Sequence, residues 1–258
     1  MRELRERVAS RAICVVVLVL LAVGALAGIA GAKPTRVVAG GVEAIFDGGF
    51  KPRALSRTKP TPITFNISGE IKSTIPNEPH PPALKEFILE SDKNAAIDVK
   101  GLPICTAGKL QSTNTKAAEA ACGPAIIGSG QATAGIAFKE QPEVLAKSKI
   151  IAFNGGFRGG VTTLFIHAYL TVPVPAAIVT TVKITKIHKG RYGLLSVATI
   201  PKIAGGSGSV KNFDLTISKR GVLTAKCTDG KLQVHGKAVF TNGPTLAATV
   251  SRPCTPKP

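Results

Sequence analysis

From Ile63 onward the chain alternates apolar and polar residues with a period of two, and Gly or Pro repeatedly breaks the run. Leu164, Ile166, Ala168, Leu170 and Val172 share one face, as do Ile178, Val182 and Ile184. Phe213, Leu215, Ile217 and then Leu246, Ala248, Val250 repeat the pattern. That period belongs to strands with one buried face. Pro173 and Pro175, Gly190, Gly205-Gly206 and Asn242-Gly243-Pro244 punctuate them as turns. Strands with no helices between them argue against a parallel α/β sheet. The expected fold is all-β, mainly an antiparallel β-sandwich, with one short helix near 115–122. There Thr115 caps an Ala-rich run that stops at Gly123-Pro124. A membrane-spanning barrel would also alternate, but the apolar faces are interrupted, and with no Trp and two Tyr the chain lacks aromatic girdles.

Residues 63–258 are expected to hold the β region, as one unit or as two tandem β units of about 63–143 and 144–258. Residues 33–62 are rich in Gly, Pro and basic groups and read as a loosely ordered lead-in with one edge strand at the short apolar piece Val42–Phe46. Ahead of them, Arg2, Arg5, Arg7 and Arg11 precede an apolar run from Ile13 to Ala30, closed by Ala30-Gly31-Ala32. A charged start, an apolar middle and small residues at the cleavage positions describe a signal peptide over residues 1–32. The run is also just long enough to be retained as an anchor. The Ala-x-Ala ending favours cleavage, which would leave no transmembrane domain and a secreted or envelope-associated protein.

After cleavage four cysteines remain: Cys105, Cys122, Cys227 and Cys254. An even number in an exported chain reads as two disulfides with three connectivities open, and the short loops Cys105–Cys122 and Cys227–Cys254 are preferred. Zinc would need closer Cys or His spacing. Cys105-Thr-Ala-Gly-Lys-Leu-Gln111 and Cys227-Thr-Asp-Gly-Lys-Leu-Gln233 match at all but one position, which raises a duplicated Cys–turn–strand corner.

Charge constrains function most. The chain carries 33 Lys+Arg against 15 Asp+Glu. No acid lies between Glu143 and Asp214, and residues 144–258 hold 16 basic groups against two acidic ones. Such segregation gives a one-sided field. The densest stretch, Lys183 to Arg191, ends a strand and enters a turn. Lys183, Lys186, Lys189, Arg191 and Arg158 are therefore the candidate anion-binding residues, although charges at a hairpin tip also serve to discourage edge pairing. The Gly-rich segments Asn154–Gly160 and Gly205–Ser209 add candidate backbone cradles, with tight turns as the plainer reading.

Catalytic patterns fail on context. Gly205–Ser209 lacks the last Gly of a nucleophile elbow, and Pro60 forbids the helix that Ser56-x-x-Lys59 would need. The four His are isolated, and His167 reads as a packing residue. Glu86, Glu90 and Asp92 are the nearest thing to paired carboxylates, and acidic surface accounts for them. Neither a catalytic residue, a metal site nor a cofactor is expected.

Three segments carry a resemblance: GGFKPRALSRTKPTPI, HPPALKEFILESDKNAAIDVKGLPIC and CTDGKLQVHGKAVFTNGPTLAATVSRPC. They resemble uncharacterised exported β-rich proteins of high-GC Gram-positive bacteria over most of residues 42–256. The resemblance implies export and a β fold, and no activity. The leading expectation is a non-enzymatic envelope protein whose basic C-terminal half binds anionic surface polymer or lipid headgroups. A structural or adhesin-like β module with a protein partner comes second, and a hydrolase without recognisable motifs third. Export places nucleic acid behind these partners.

Overall fold

The computed structural model describes residues 33–139 and 141–258, so the expected signal segment lies outside the described residues. Among the described residues, seventeen strands are joined mostly by short turns. The first seven are β1 (Thr35–Ala39), β2 (Val42–Lys51), β3 (Ala54–Ser56), β4 (Thr61–Pro62), β5 (Thr64–Ser73), β6 (Leu84–Asp92) and β7 (Ala95–Ile97). Two helices follow, α1 (Ala107–Leu110) and α2 (Thr115–Cys122). Then come β8 (Ile126–Phe138), β9 (Gln141–Arg158), β10 (Val161–Leu170), β11 (Ala176–Lys189) and β12 (Tyr192–Thr199). The last are β13 (Gly208–Ile217), β14 (Leu223–Ala225), β15 (Lys231–Phe240), β16 (Thr245–Pro253) and β17 (Thr255–Lys257).

Twelve of these strands join in one sheet, in the order β1-β2-β5-β13-β8-β9-β10-β11-β12-β6-β15-β16, every neighbour antiparallel. Its two edges, β1 and β16, come against each other without a hydrogen-bonded ladder. The sheet is thus a nearly closed barrel, and this corrects the sandwich. Period-two alternation says which residues share a face; it does not say whether a sheet packs on a second one or curls onto itself. The apolar faces read from the sequence do share a side, the inside: Ile150, Leu164, Val182, Leu194 and Leu215 belong to one core cluster. The outward positions between them include Lys147, Lys149, Lys183 and Asp214, all exposed. A bilayer-spanning barrel needs the opposite, an apolar band outside.

Two other sequence expectations change. The supposed lead-in contributes β2, an interior barrel strand between β1 and β5 whose Val42, Ala44, Phe46 and Phe50 are buried; Gly40-Gly41 turns into it from β1, and Gly48 and Gly49 are paired within it. Strands from the two proposed tandem units also alternate in the barrel, β13 between β5 and β8 and β6 between β12 and β15. Residues 34–258 form one unit. The matching heptapeptides differ in structure: after Cys105 the chain makes α1, whereas after Cys227 it turns at Gly230 into β15.

Both disulfides are the short-loop pairs, Cys105–Cys122 and Cys227–Cys254. The first staples α1 and α2 onto the outer wall, where Leu110 and Ala118 bury Ile151 and Phe153 of β9. Helix α2 is capped by Asn114, not Thr115: the Asn114 side chain accepts from the Ala117 N–H at 2.9 Å. The second disulfide packs with Phe50, Leu55, Ile63 and Leu232. That cluster, with the small sheet β4-β14-β7 and the parallel pair β17-β3, closes one end of the barrel.

Candidate anionic-surface site

The hairpins β9–β10 and β11–β12 turn at this same closed end, because Val161 of β10 lies opposite both Arg158 of β9 and Thr185 of β11. Three of the five candidate cations therefore come to the same end, on β9 and β11, either side of β10. Arg158 stands at one tip, and Lys183 and Lys186 flank Thr185; all three are exposed and have no carboxylate partner among the described residues. Lys93 and Arg220, in other turns at this end, and Lys231, which opens β15, are exposed as well.

The other two candidates are used within the fold. Lys189 reaches across to Glu90 at 2.8 Å and holds that carboxyl below the usual carboxylate range. Arg191 binds Asp92 through Nε at 2.7 Å, pairs with Asp229, and donates to the Lys231 carbonyl at 2.7 Å. Asp92 is almost fully buried and accepts as well from the backbone N–H groups of Asn94 (3.0 Å) and Gln233 (3.1 Å). Arg191 is thus a clamp joining β6, the β11–β12 turn and β15. The same pairs account for Glu90 and Asp92, two of the acids weighed for catalysis. These two cations offset all but one unit of the charge of Glu90, Asp92 and Asp229, and the exposed cations at this end outnumber that remainder.

Three residues join the patch that sequence reasoning missed. Phe157 and Ile104 are exposed to 45% and 60%, and the Lys100 ammonium sits 4.9 Å from the centre of the Phe157 ring. Apolar side chains among cations suit an interface where headgroups meet hydrocarbon. Phe157 was visible in sequence as an aromatic beside a Gly-Gly turn; Lys100 and Ile104 reach it only through the fold.

Neither Gly-rich segment offers a free cradle. Gly159 and Gly160, both at positive φ, form the two-residue turn that a tight hairpin needs. Asn154 is buried, its Oδ1 accepts the Gly156 N–H, and its Nδ2 donates to the Pro103 carbonyl. In the second segment the Gly206 and Gly208 N–H groups both donate to the Ile203 carbonyl.

His167 lies on the outer face of β10 under the helices, fully buried. Its Nε2 donates to the Thr113 carbonyl at 2.9 Å, and its Nδ1 has no partner among the described residues. Burial pushes its pKa below the ordinary value. The folded state holds it neutral, whereas an unfolded imidazole protonates at about pH 6.5. Stability is therefore complete above that pH and falls as pH drops below it. Urea midpoints measured between about pH 7 and 5 should decline in the wild type and less steeply in His167→Phe; parallel slopes would remove His167 as the cause.

No protein-family model, curated protein or solved structure matches the chain.

Proposed function

We propose that this chain is an exported, non-enzymatic envelope protein that holds to anionic surfaces, phosphate-bearing wall polymer or acidic lipid headgroups, through the basic end of its barrel. The observation that carries the reading is the placing of Arg158 on β9 and of Lys183 and Lys186 on β11 at one end of the barrel, either side of β10, while the acids Glu90, Asp92 and Asp229 at that end pair with Lys189 and Arg191. Two disulfides suit an oxidising, extracytoplasmic compartment. Lysines present diffuse point charge, which suits a polyanion more than one bidentate phosphate.

The test is cosedimentation of the oxidised mature chain with isolated wall polymer and with acidic vesicles, from about 0.05 to 0.5 M salt. Each surface cation contributes about 1 kcal/mol near an anionic membrane. The triple variant Arg158→Gln, Lys183→Gln, Lys186→Gln should thus bind on the order of 100-fold more weakly. Lys189→Gln alone should change affinity little. Binding that persists at high salt, or that ignores the triple variant, would end this reading.

A second reading, a β module with a protein partner, is favoured by the opposite end of the barrel. There Val172, Val174, Ile75 and Phe138 are exposed in the turns, and apolar side chains gathered on a surface mark protein contacts. Salt-resistant binding would select it.

A further inference from the structure

Twelve strands enclose more volume than their inward side chains fill; about eight strands are the size that side chains alone can pack. The barrel accordingly holds a cavity of about 310 Å³, within the roughly 300–1,000 Å³ of small-molecule sites. It reaches from Leu170 and Ile203 near one end to Ile97 and Leu223 near the other, so it follows the barrel axis. Its two sides differ. On one, Phe87 of β6 and Phe213 of β13, from opposite sides of the barrel, meet edge-on across the interior with ring centres 5.3 Å apart, and Phe46 of β2 stacks 6.1 Å from Phe87, so that the three rings form an aromatic wall through the interior. On the other, β8, β9, β10 and β12 present Ala132, Ala152, Ala168 and Ala198, the smallest side chains that still count as apolar. Ile166, Ala168, Ala198 and Phe213 point inward yet are only half-buried. The surface they retain faces the lumen.

The lining also limits what can enter. Its charged members, Asp47, Asp92 and Arg252, are already paired: Asp92 with Arg191, and Arg252 with Asp47 and, at 2.6 Å, the Gly48 carbonyl. Apart from the Gln233 amide and hydroxyls such as those of Thr180 and Ser196, the side chains between them are hydrocarbon. Enclosed apolar space does not hold water well and accepts apolar molecules, and an empty lumen forfeits the dispersion contacts its wall could make.

We propose that the lumen is a binding site for the hydrocarbon chain of a single lipid-type molecule, extended along the barrel axis between the Phe46–Phe87–Phe213 wall and the alanine wall. This site is independent of the basic end. A fatty acid could reach either one through its carboxylate or its chain, so an uncharged arm is needed to separate them.

The experiment titrates the oxidised mature chain with a polyene fatty acid that fluoresces on leaving water. The probe is then displaced by saturated fatty acids and by the matching fatty alcohols. Lumen binding predicts that the alcohols displace the probe, that salt has little effect, and that longer alcohols raise the melting temperature of the unaltered chain more than shorter ones. Ala168→Phe and Ala198→Phe, made separately to fill the alanine wall, should each weaken probe binding roughly 10-fold or more, since a filled site has no room for the chain. The Arg158/Lys183/Lys186 triple variant should leave alcohol binding unchanged. Failure of every alcohol to displace the probe or shift the melting temperature would overturn the proposal, and so would full binding by both filled variants. If neither filled variant folds, the alcohol series on the unaltered chain still decides. Loss of surface binding in the triple variant with alcohol binding intact would support both sites; the reverse would leave the lumen without a ligand.

Discussion

Asp92→Ala should cost the fold about 3–5 kcal/mol, because removing one partner of a buried pair strands the other groups around it. The Asp92 carboxylate is 1% exposed and takes three donors, the Arg191 guanidinium and the N–H groups of Asn94 and Gln233. Alanine leaves both N–H groups without an acceptor and removes the inner partner of Arg191, which retains only the more exposed Asp229. Asp92→Asn keeps one of the two oxygen acceptors, turns the other into an NH2 donor and loses the charge, so it should fall between alanine and the wild type. Arg191→Gln should also destabilise strongly, now by leaving a buried carboxylate without its cation. The double variant should cost clearly less than the sum of the two, the signature of a coupled pair in denaturant unfolding. A loss below about 1 kcal/mol for Asp92→Ala would mean that the pair is no more than a surface contact. The result also bears on binding. A weakened Arg191 variant reports damage to the clamp rather than a lost contact with polymer, and for that reason the charge test above leaves Arg191 in place.

Arg191 shows how far the candidate site was legible. Its place in the run Lys183–Arg191 marked it as surface charge, and the run does reach the barrel end. Its partners, however, lie 99 and 38 residues away in sequence, Asp92 and Asp229. Acid-free sequence around a cation says nothing about an acid brought in by a neighbouring strand. Lys189 repeats the lesson with Glu90. Arg158, Lys183 and Lys186 could be marked from sequence because their exposure depends mainly on their own strand positions, Lys183 outward and Arg158 and Lys186 toward the strand ends. The fold divides the same way. Local signals placed the helix 115–122, the strands from Ile63 onward and the short-loop disulfides. What local signals could not carry was closure, since an inward face looks the same in sequence whether it meets a second sheet or a lumen. The small residues opposite the Phe wall, Ala132, Ala152, Ala168 and Ala198, read as ordinary strand alanines until the strands curl around them.

Closure itself rests on a close approach that one methyl group should disrupt. Where β8 meets β13, a Cβ built on Gly130 would fall 1.8 Å from the Asp214 carbonyl oxygen, and one on Gly128 would fall 2.3 Å from that of Thr216. The obstacle in both cases is backbone, which cannot swing aside as a side-chain tip can. Gly130→Ala should therefore push β8 from β13 and cost about 3 kcal/mol or more, at the upper end of overpacking effects. Gly108 is the control within the same chain. It lies in α1 with nothing within 4 Å of a built Cβ, so Gly108→Ala should stabilise by about 0.5–1 kcal/mol through helix propensity. Thermal and urea unfolding of the two variants give opposite signs if the β8–β13 contact is structural. Because β13 and β8 both contribute lumen wall, through Phe213, Leu215 and Ala132, Gly130→Ala should also weaken probe binding when folded, while Gly108→Ala should not. Equal, near-zero effects would show that the sheet relaxes freely at this seam, and the tight coil of β8 on β13 would then be incidental to the barrel's closure.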